Sequence, residues 1–138
     1  MSRIIAAMLM SIGLVGGSGM LAQTAQGQPA GQWILTWGAI AQSPATGEVG
    51  TTVGKFSEAD ARKEALEQCG KKGAPQCKVE LVFHNQCAAV AAGKTGTAFQ
   101  TAGSEERAGQ LAKESCEEGG ATCKVLYSEC SKAVFKRD

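Results

Sequence analysis

One histidine, six cysteines and 13 carboxylates are the side chains of this 138-residue chain that could do chemistry. A single imidazole, His84, excludes any mechanism or metal site that needs two. A nucleophilic pair of Cys87 and His84 fails on geometry: the two are three apart on an extended segment, so their side chains point to opposite faces. No Gly-x-Ser-x-Gly elbow exists for a serine triad. The cysteines, at 69, 77, 87, 116, 123 and 130, contain no Cys-x-x-Cys, so a zinc site is not expected. Glu58, Asp60, Glu64, Glu67, Glu105, Glu106, Glu114, Glu117 and Glu118 nearly all fall on solvent faces of predicted helices or in loops, where hydration accounts for them. Glu48 and Glu80, on predicted strands, are the pair left for hydrolytic carboxylate chemistry on a glycan. Gly47, Gly50 and Gly54, and Gly93 with Gly96, match no phosphate loop and read as turn glycines. The expectation is a chain with no catalytic set, no cofactor and no metal.

The cysteines are better explained by disulfides in an exported protein. Residues 1–22 read as a secretory signal peptide. Arg3 supplies the basic end, and Ile4 to Val15 supply about twelve apolar residues, too few to span a bilayer as a helix. Cleavage is expected after Ala22, with Gly27 the alternative. Residues 23–32 read as a flexible linker, 33–130 as one domain and 131–138 as a tail. An even number of cysteines in an exported chain points to an oxidising compartment, either a bacterial periplasm or the outside medium. Loss of Arg3 with the leader leaves 13 basic against 13 acidic residues. That neutrality offers no electrostatic case for nucleic acid or an anionic membrane.

The elements that would position these groups come as an internal repeat. Ser57 to Cys69 matches Ser104 to Cys116 at a constant offset of 47. Trp37-Gly38-Ala39-Ile40-Ala41 matches Cys87-Ala88-Ala89-Val90-Ala91, so the repeats run 37–86 and 87–130. Each reads as strand, strand, helix, strand. In the first, strands are predicted over 34–42, 49–53 and 78–84. Ser57 caps the helix, acids fill its first turn, and Gly70 stops it. Val79, Leu81 and Phe83 share a face at a two-residue period. Ala61, Ala65, Leu66 and Cys69 line one helix stripe; Ala108, Leu111, Ala112 and Cys116 line the other. Small stripes bury little area, which is the physical reason for disulfides. The expected fold class is α+β: two pseudo-symmetric β-β-α-β repeats in one antiparallel sheet of about six strands, with both helices on one face.

Six cysteines allow fifteen connectivities. The repeat narrows them: Cys69 with Cys77 and Cys116 with Cys123 join each helix end to the next strand, leaving Cys87 for Cys130. In the first repeat Trp37 and His84 occupy the places of Cys87 and Cys130, and a stacked pair there would be a structural substitute for the bond. Trp33 and Phe135 have no counterpart within the repeat, so they either seal sheet edges or form a contact patch for a partner.

The ordered motifs Trp37 to Ala41, Ala65-Leu66-Glu67-Gln68-Cys69, Cys77 with its Val-rich strand, Asn85-Gln86-Cys87 to Ala91, and the second helix with Cys116 and Cys123 resemble the family called domain of unknown function 4189. The resemblance spans 37–130. It implies a small exported bacterial domain and supplies no activity or catalytic residues. The expectation for function is therefore a monomeric protein-binding module, such as an inhibitor or immunity protein of a periplasmic toxin, or a secreted effector. The alternatives are a cell-wall or glycan enzyme using exposed carboxylates, and an envelope component that self-associates through Trp33 and the tail.

Overall fold

A computed structural model describes residue 27 and residues 29–138. The predicted leader, 1–22, lies outside the described residues. The chain runs β1 (Gly31–Ile34), β2 (Trp37–Gln42), β3 (Val49–Lys55), α1 (Glu58–Lys71), β4 (Lys78–His84), β5 (Cys87–Gly93), β6 (Gly96–Ala102), α2 (Glu105–Glu117), β7 (Cys123–Cys130) and β8 (Val134–Arg137). The single strand expected over 34–42 is broken at Leu35-Thr36. The residues read as a tail contain β8, and the linker's last two residues begin β1.

The strands do not form one six-stranded sheet. They form two antiparallel three-stranded sheets, β3-β2-β4 and β6-β5-β7, and a separate ribbon of β1 with β8. The reason lies in the middle strands. In β2, Ala39 and Ala41 pack with Ala61, Ala65 and Cys69 of α1, while Ile40, facing the other way, packs with Phe83, Ala88 and Val90. In β5, Ala89 and Ala91 pack on α2 while Ala88 and Val90 join Ile40. Both middle strands are buried on both faces, as a continuous apolar run requires. A flat sheet with both helices on one face would leave Ile40, Phe83 and Val90 in water. Instead the sheets stack against each other, and the helices cover the two outer faces. The link between the sheets is two residues, Asn85-Gln86, with Asn85 at a left-handed φ of 51° that asparagine tolerates.

Two β-bulges explain side-chain directions that periodicity alone misses. Ile40 pairs with Leu81 but Ala41 with Val79, so Glu80 is an extra residue in β4. Val90 pairs with Tyr127 but Ala91 with Val125, so Leu126 is extra in β7. Each bulge reverses the facing of the residues before it. Val79 therefore lies on the helix side with Val82, whereas Leu81 and Phe83 face the other sheet.

The helices begin where the sequence indicates. Ser57 Oγ accepts from Asp60 N–H at 3.1 Å, and Ser104 Oγ accepts from Arg107 N–H at 3.2 Å. The expected stop at Gly70 is two residues early: α1 includes Gly70 and ends with Lys72 as its cap. Leu66 also departs from the predicted stripe and is 36% exposed, so the buried face that α1 lays on the sheet is alanine and Cys69 alone. The approach is close enough that Gly50 on β3 has no room for a side chain. A Cβ there would collide with Ala65 O and Cys69 N and fall 2.8 Å from Cys69 Cα. A disulfide joins Cys69 to Cys77, with Cα atoms 6.1 Å apart, and another joins Cys116 to Cys123 at 6.0 Å; each fixes a helix end to the following strand.

This contact makes opposite predictions for two glycines. Gly50→Ala forces backbone apart from backbone and should cost about 2–3 kcal/mol, lowering Tm by about 10 °C or more. Gly70→Ala adds a methyl in open space on a helix and should raise stability by up to about 1 kcal/mol. Thermal denaturation of the two variants reads both signs.

Candidate functional site

The only histidine is engaged in structure. Trp37 and His84 are directly paired across β2 and β4, their rings 4.1 Å apart between centroids and 9° from parallel. Asn85 N–H donates to Thr36 O at 3.1 Å, which makes Trp37 and His84 the following, non-hydrogen-bonded pair of the ladder. Cys87 and Cys130 stand in the same relation: Ser131 N–H donates to Gln86 O at 2.9 Å, and the two cysteines are disulfide-bonded with Cα atoms 3.8 Å apart. Side chains approach most closely at such pairs. The stack and the disulfide thus occupy equivalent places, one in each sheet.

The carboxylates singled out for hydrolytic chemistry are each held by a lysine. Glu48, one residue ahead of β3 rather than on it, lies 3.5 Å from Lys72 Nζ, and Glu80 lies 3.5 Å from Lys78 Nζ. Glu48 and Lys72 share an open polar cleft of about 330 Å³ with Leu126 and Tyr127. Its polar groups are satisfied internally: Lys72 Nζ donates to Val49 O at 2.8 Å, and Tyr127 donates to Glu129 Oε2 at 3.1 Å. Burial first, then the Glu129 charge, pushes the Tyr127 phenol well above the ordinary tyrosine range. Glu64, hydrogen-bonded by Lys55, is held below the usual carboxylate range. Among the described residues, no group of three or more His, Cys, Asp or Glu side chains gathers where a metal could sit, and no helix is long and apolar enough to cross a membrane.

A further departure from a sealed surface is at the ribbon. Its strands leave the body at Thr36 and Ser131, both buried. There a chain of hydrogen bonds ties three segments together. Gly54 N–H donates to Ser131 Oγ at 3.1 Å. Ser131 and Thr36 hydroxyls meet at 2.7 Å, and Thr36 donates onward to Lys132 O at 2.8 Å. Thr36 spends its proton on Lys132, so Ser131 is the donor between them, and each bond polarises the next. Beyond this knot Trp33 pairs with Phe135 and Ile34 with Val134. The Trp33 and Phe135 rings meet at 5.4 Å and 60°. Phe135 also lies across Gly31, where a Cβ would fall 2.7 Å from its Cζ; only glycine leaves space for the ring.

Two candidate contact residues are therefore brought together, but not buried. Trp33 is 69% exposed, and beside the ribbon Phe56 is 67% exposed. Ile34, Phe56, Val134, Phe135 and Lys136 line one open groove of about 560 Å³. Sequence reasoning missed Phe56. The signal was available: its equivalent at the offset of 47 is Gly103, so Phe56, like Trp33 and Phe135, has no counterpart in the second repeat.

Two measurements test these placements. Trp37→Cys with His84→Cys should form a fourth disulfide, visible by mass and resistant to alkylation, and raise stability by about 1–3 kcal/mol after loss of the stack. Tyr127 is the only tyrosine. Because the folded chain holds its proton more tightly than the unfolded one, its contribution is complete below pH 10.0, the ordinary value, and is lost as pH rises beyond it. The urea midpoint should fall above that pH, less so in Tyr127→Phe, with phenolate absorbance rising only on unfolding.

Comparison with known proteins adds a family and a similarity to a solved structure. A family model described as "Domain of unknown function (DUF4189)" matches residues 37–130. The chain is similar to a protein solved by NMR, Rv1813c from Mycobacterium tuberculosis, at 24% identity and a TM-score of 0.48, over 88% of this chain and 98% of that one. No curated protein matches.

Proposed function

We propose that this chain, which belongs to the DUF4189 family, is a non-enzymatic protein-binding module of the periplasm or extracellular space. The observation that carries the reading is the terminal ribbon, where Phe56 borders the groove and Trp33 lies on the ribbon's other face, both mostly in water on a frame fixed by three disulfides. Exposed aromatics on a rigid base are the residues that anchor protein interfaces at low entropic cost. A soluble monomer otherwise gains nothing by hydrating them. Three disulfides in a small domain agree with export into an oxidising compartment. The two β-β-α-β units are further proposed to be related by an approximate twofold axis. On that view Trp33, Phe56 and Phe135 are additions that the repeat does not require, and an inhibitor, an immunity protein or a secreted effector would each use them in the same way. Glu48 and Glu80, each paired with a lysine, give no comparable support to hydrolytic chemistry.

The test is capture of partners from envelope and culture-medium fractions by the oxidised protein, beside a Trp33→Ala/Phe56→Ser variant. The expected result is one stoichiometric protein partner, held at least about 30-fold more weakly by the variant, whose Tm changes by only a few degrees. Undiminished capture by the variant, or no partner from any fraction, would overturn the reading. A wild-type oligomer in sedimentation that the variant abolishes would replace it with self-association.

A further inference from the structure

We infer that an extended, carboxylate-bearing segment of a partner protein adds to the outer edge of β1 as a third strand of the ribbon. This rests on the protein-binding reading and specifies its mode. Among the described residues β1 pairs with β8 alone, so one side of its backbone offers unpaired N–H and C=O groups. Beyond keeping them short, as the four-residue β1 is, proteins protect such edges with charge, proline or a bulge. The other edges here follow that rule. β3 carries Lys55 and a register irregularity, β4 Lys78 and the bulged Glu80, β7 Lys124 and the bulged Leu126, and β8 Lys136 and Arg137. The uncharged β6 lies beside β4 of the facing sheet. Strand β1, Gly-Gln-Trp-Ile, has no charge, no proline and an unbroken register. A two-stranded ribbon is also marginal by itself, and a third strand is what completes a stable unit.

Side chains on the ribbon specify the occupant. Lys132, Lys136 and Arg137 make no ion pair among the described residues. Lys71, Lys94, Arg107 and Lys124 make none either, but Lys132, Lys136 and Arg137 are gathered within six residues, with Asp138 the one acid among residues 131–138. Gln32, Ile34, Val134 and Lys136 share one face by the two-residue period, and this face carries the groove. A residue of the added strand opposite Ile34 would be apolar and would cover the groove. Two positions along, on the same face and opposite Gln32, it would stand about 10 Å in backbone spacing from Lys136, across β1. A glutamate and a lysine span that gap between them. The intervening residue points to the opposite face beside Trp33 and is best aromatic. The recognised pattern is thus apolar, aromatic, acidic over three consecutive residues of an antiparallel strand, and the reverse order in a parallel one.

The probe is a blocked peptide of about ten residues, the length of a long strand, with Val-Phe-Glu at its centre. It is compared with a Val-Phe-Lys version and with versions N-methylated on alternate backbone amides. Titration into the oxidised protein is read by binding isotherm and by amide hydrogen exchange. The Glu peptide is expected to bind and to slow exchange in β1, and one N-methyl pattern should abolish both effects. The Lys peptide should bind at least about fivefold more weakly, and Lys136→Glu should reverse that preference. Equal binding of the two peptides, or no protection in β1, would overturn the inference. So would binding to anionic phospholipid vesicles with β1 left unprotected, or β1 amides already protected by a dimer seen in sedimentation. If the peptides fail while capture still depends on Trp33 and Phe56, strand addition is wrong and the binding module stands.

Discussion

Burial of β2 and β5 on both faces is the constraint from which the rest of this structure follows. A strand with one wet face can end a sheet stack; a strand with two dry faces needs a layer on each side. Each of these strands meets a helix through alanine and the opposite sheet through one larger residue, Ile40 or Val90. The order helix, sheet, sheet, helix is the arrangement that gives every one of those side chains a dry neighbour. Alanine on alanine sets a short distance between helix and sheet, and that distance demands glycine at position 50.

The same close packing yields little hydrophobic free energy. A buried methyl is worth about 0.8 kcal/mol, against about 1.5–3 kcal/mol for a large aliphatic or aromatic side chain. Among the described residues Phe83 and Ile40 are the largest fully buried side chains, and both belong to the contact between sheets. The helices therefore have the weakest hold on the body, and the two equivalent disulfides sit where that hold is thinnest, between each helix end and its following strand. The third disulfide and the Trp37–His84 stack do a different task. Both lie beside the two-residue link Asn85-Gln86 and fix the strands entering and leaving the turn from one sheet to the other.

What could be read from the sequence depended on how local its physical cause was. Helix starts follow from a serine and nearby acids, and the helix-side alanines follow from a period of three to four. The 47-residue offset brought Cys69 and Cys116 into correspondence, and matching motifs at offsets of 50 and 46 aligned Trp37 with Cys87 and His84 with Cys130. Features with distant causes were not legible. A bulge at Glu80 or Leu126 leaves no mark on composition, yet it turns Val79 to the face opposite Leu81. Pairing of Gly31–Ile34 with Val134–Arg137 joins the two ends of the described chain, so no period within either segment announces it. The six predicted core strands exist, but whether they form one sheet or two depends on which face of Ile40 and Val90 finds cover, and that is a property of the assembled core.

The ribbon stands outside this economy and for that reason bears on function. It has no place in the repeated unit and contributes no fully buried large side chain to the core. Trp33 and Phe135 spend their contact on each other, and Phe56 stands at the cap of α1 without closing over it. A two-stranded element of that kind would fray if it were joined to the body by backbone alone. Instead Thr36 and Ser131, hydrogen-bonded inside the body, clamp both of its strands at the root, and the adjacent disulfide holds the strand from which Ser131 emerges. Buried hydroxyls so satisfied are costly to disturb, since removing one strands its partners. The fold thus commits its most specific polar interactions to presenting a surface that its own core does not use. That surface combines a fixed apolar face with an unprotected backbone edge, and the two together define a partner by its main chain as well as by its side chains.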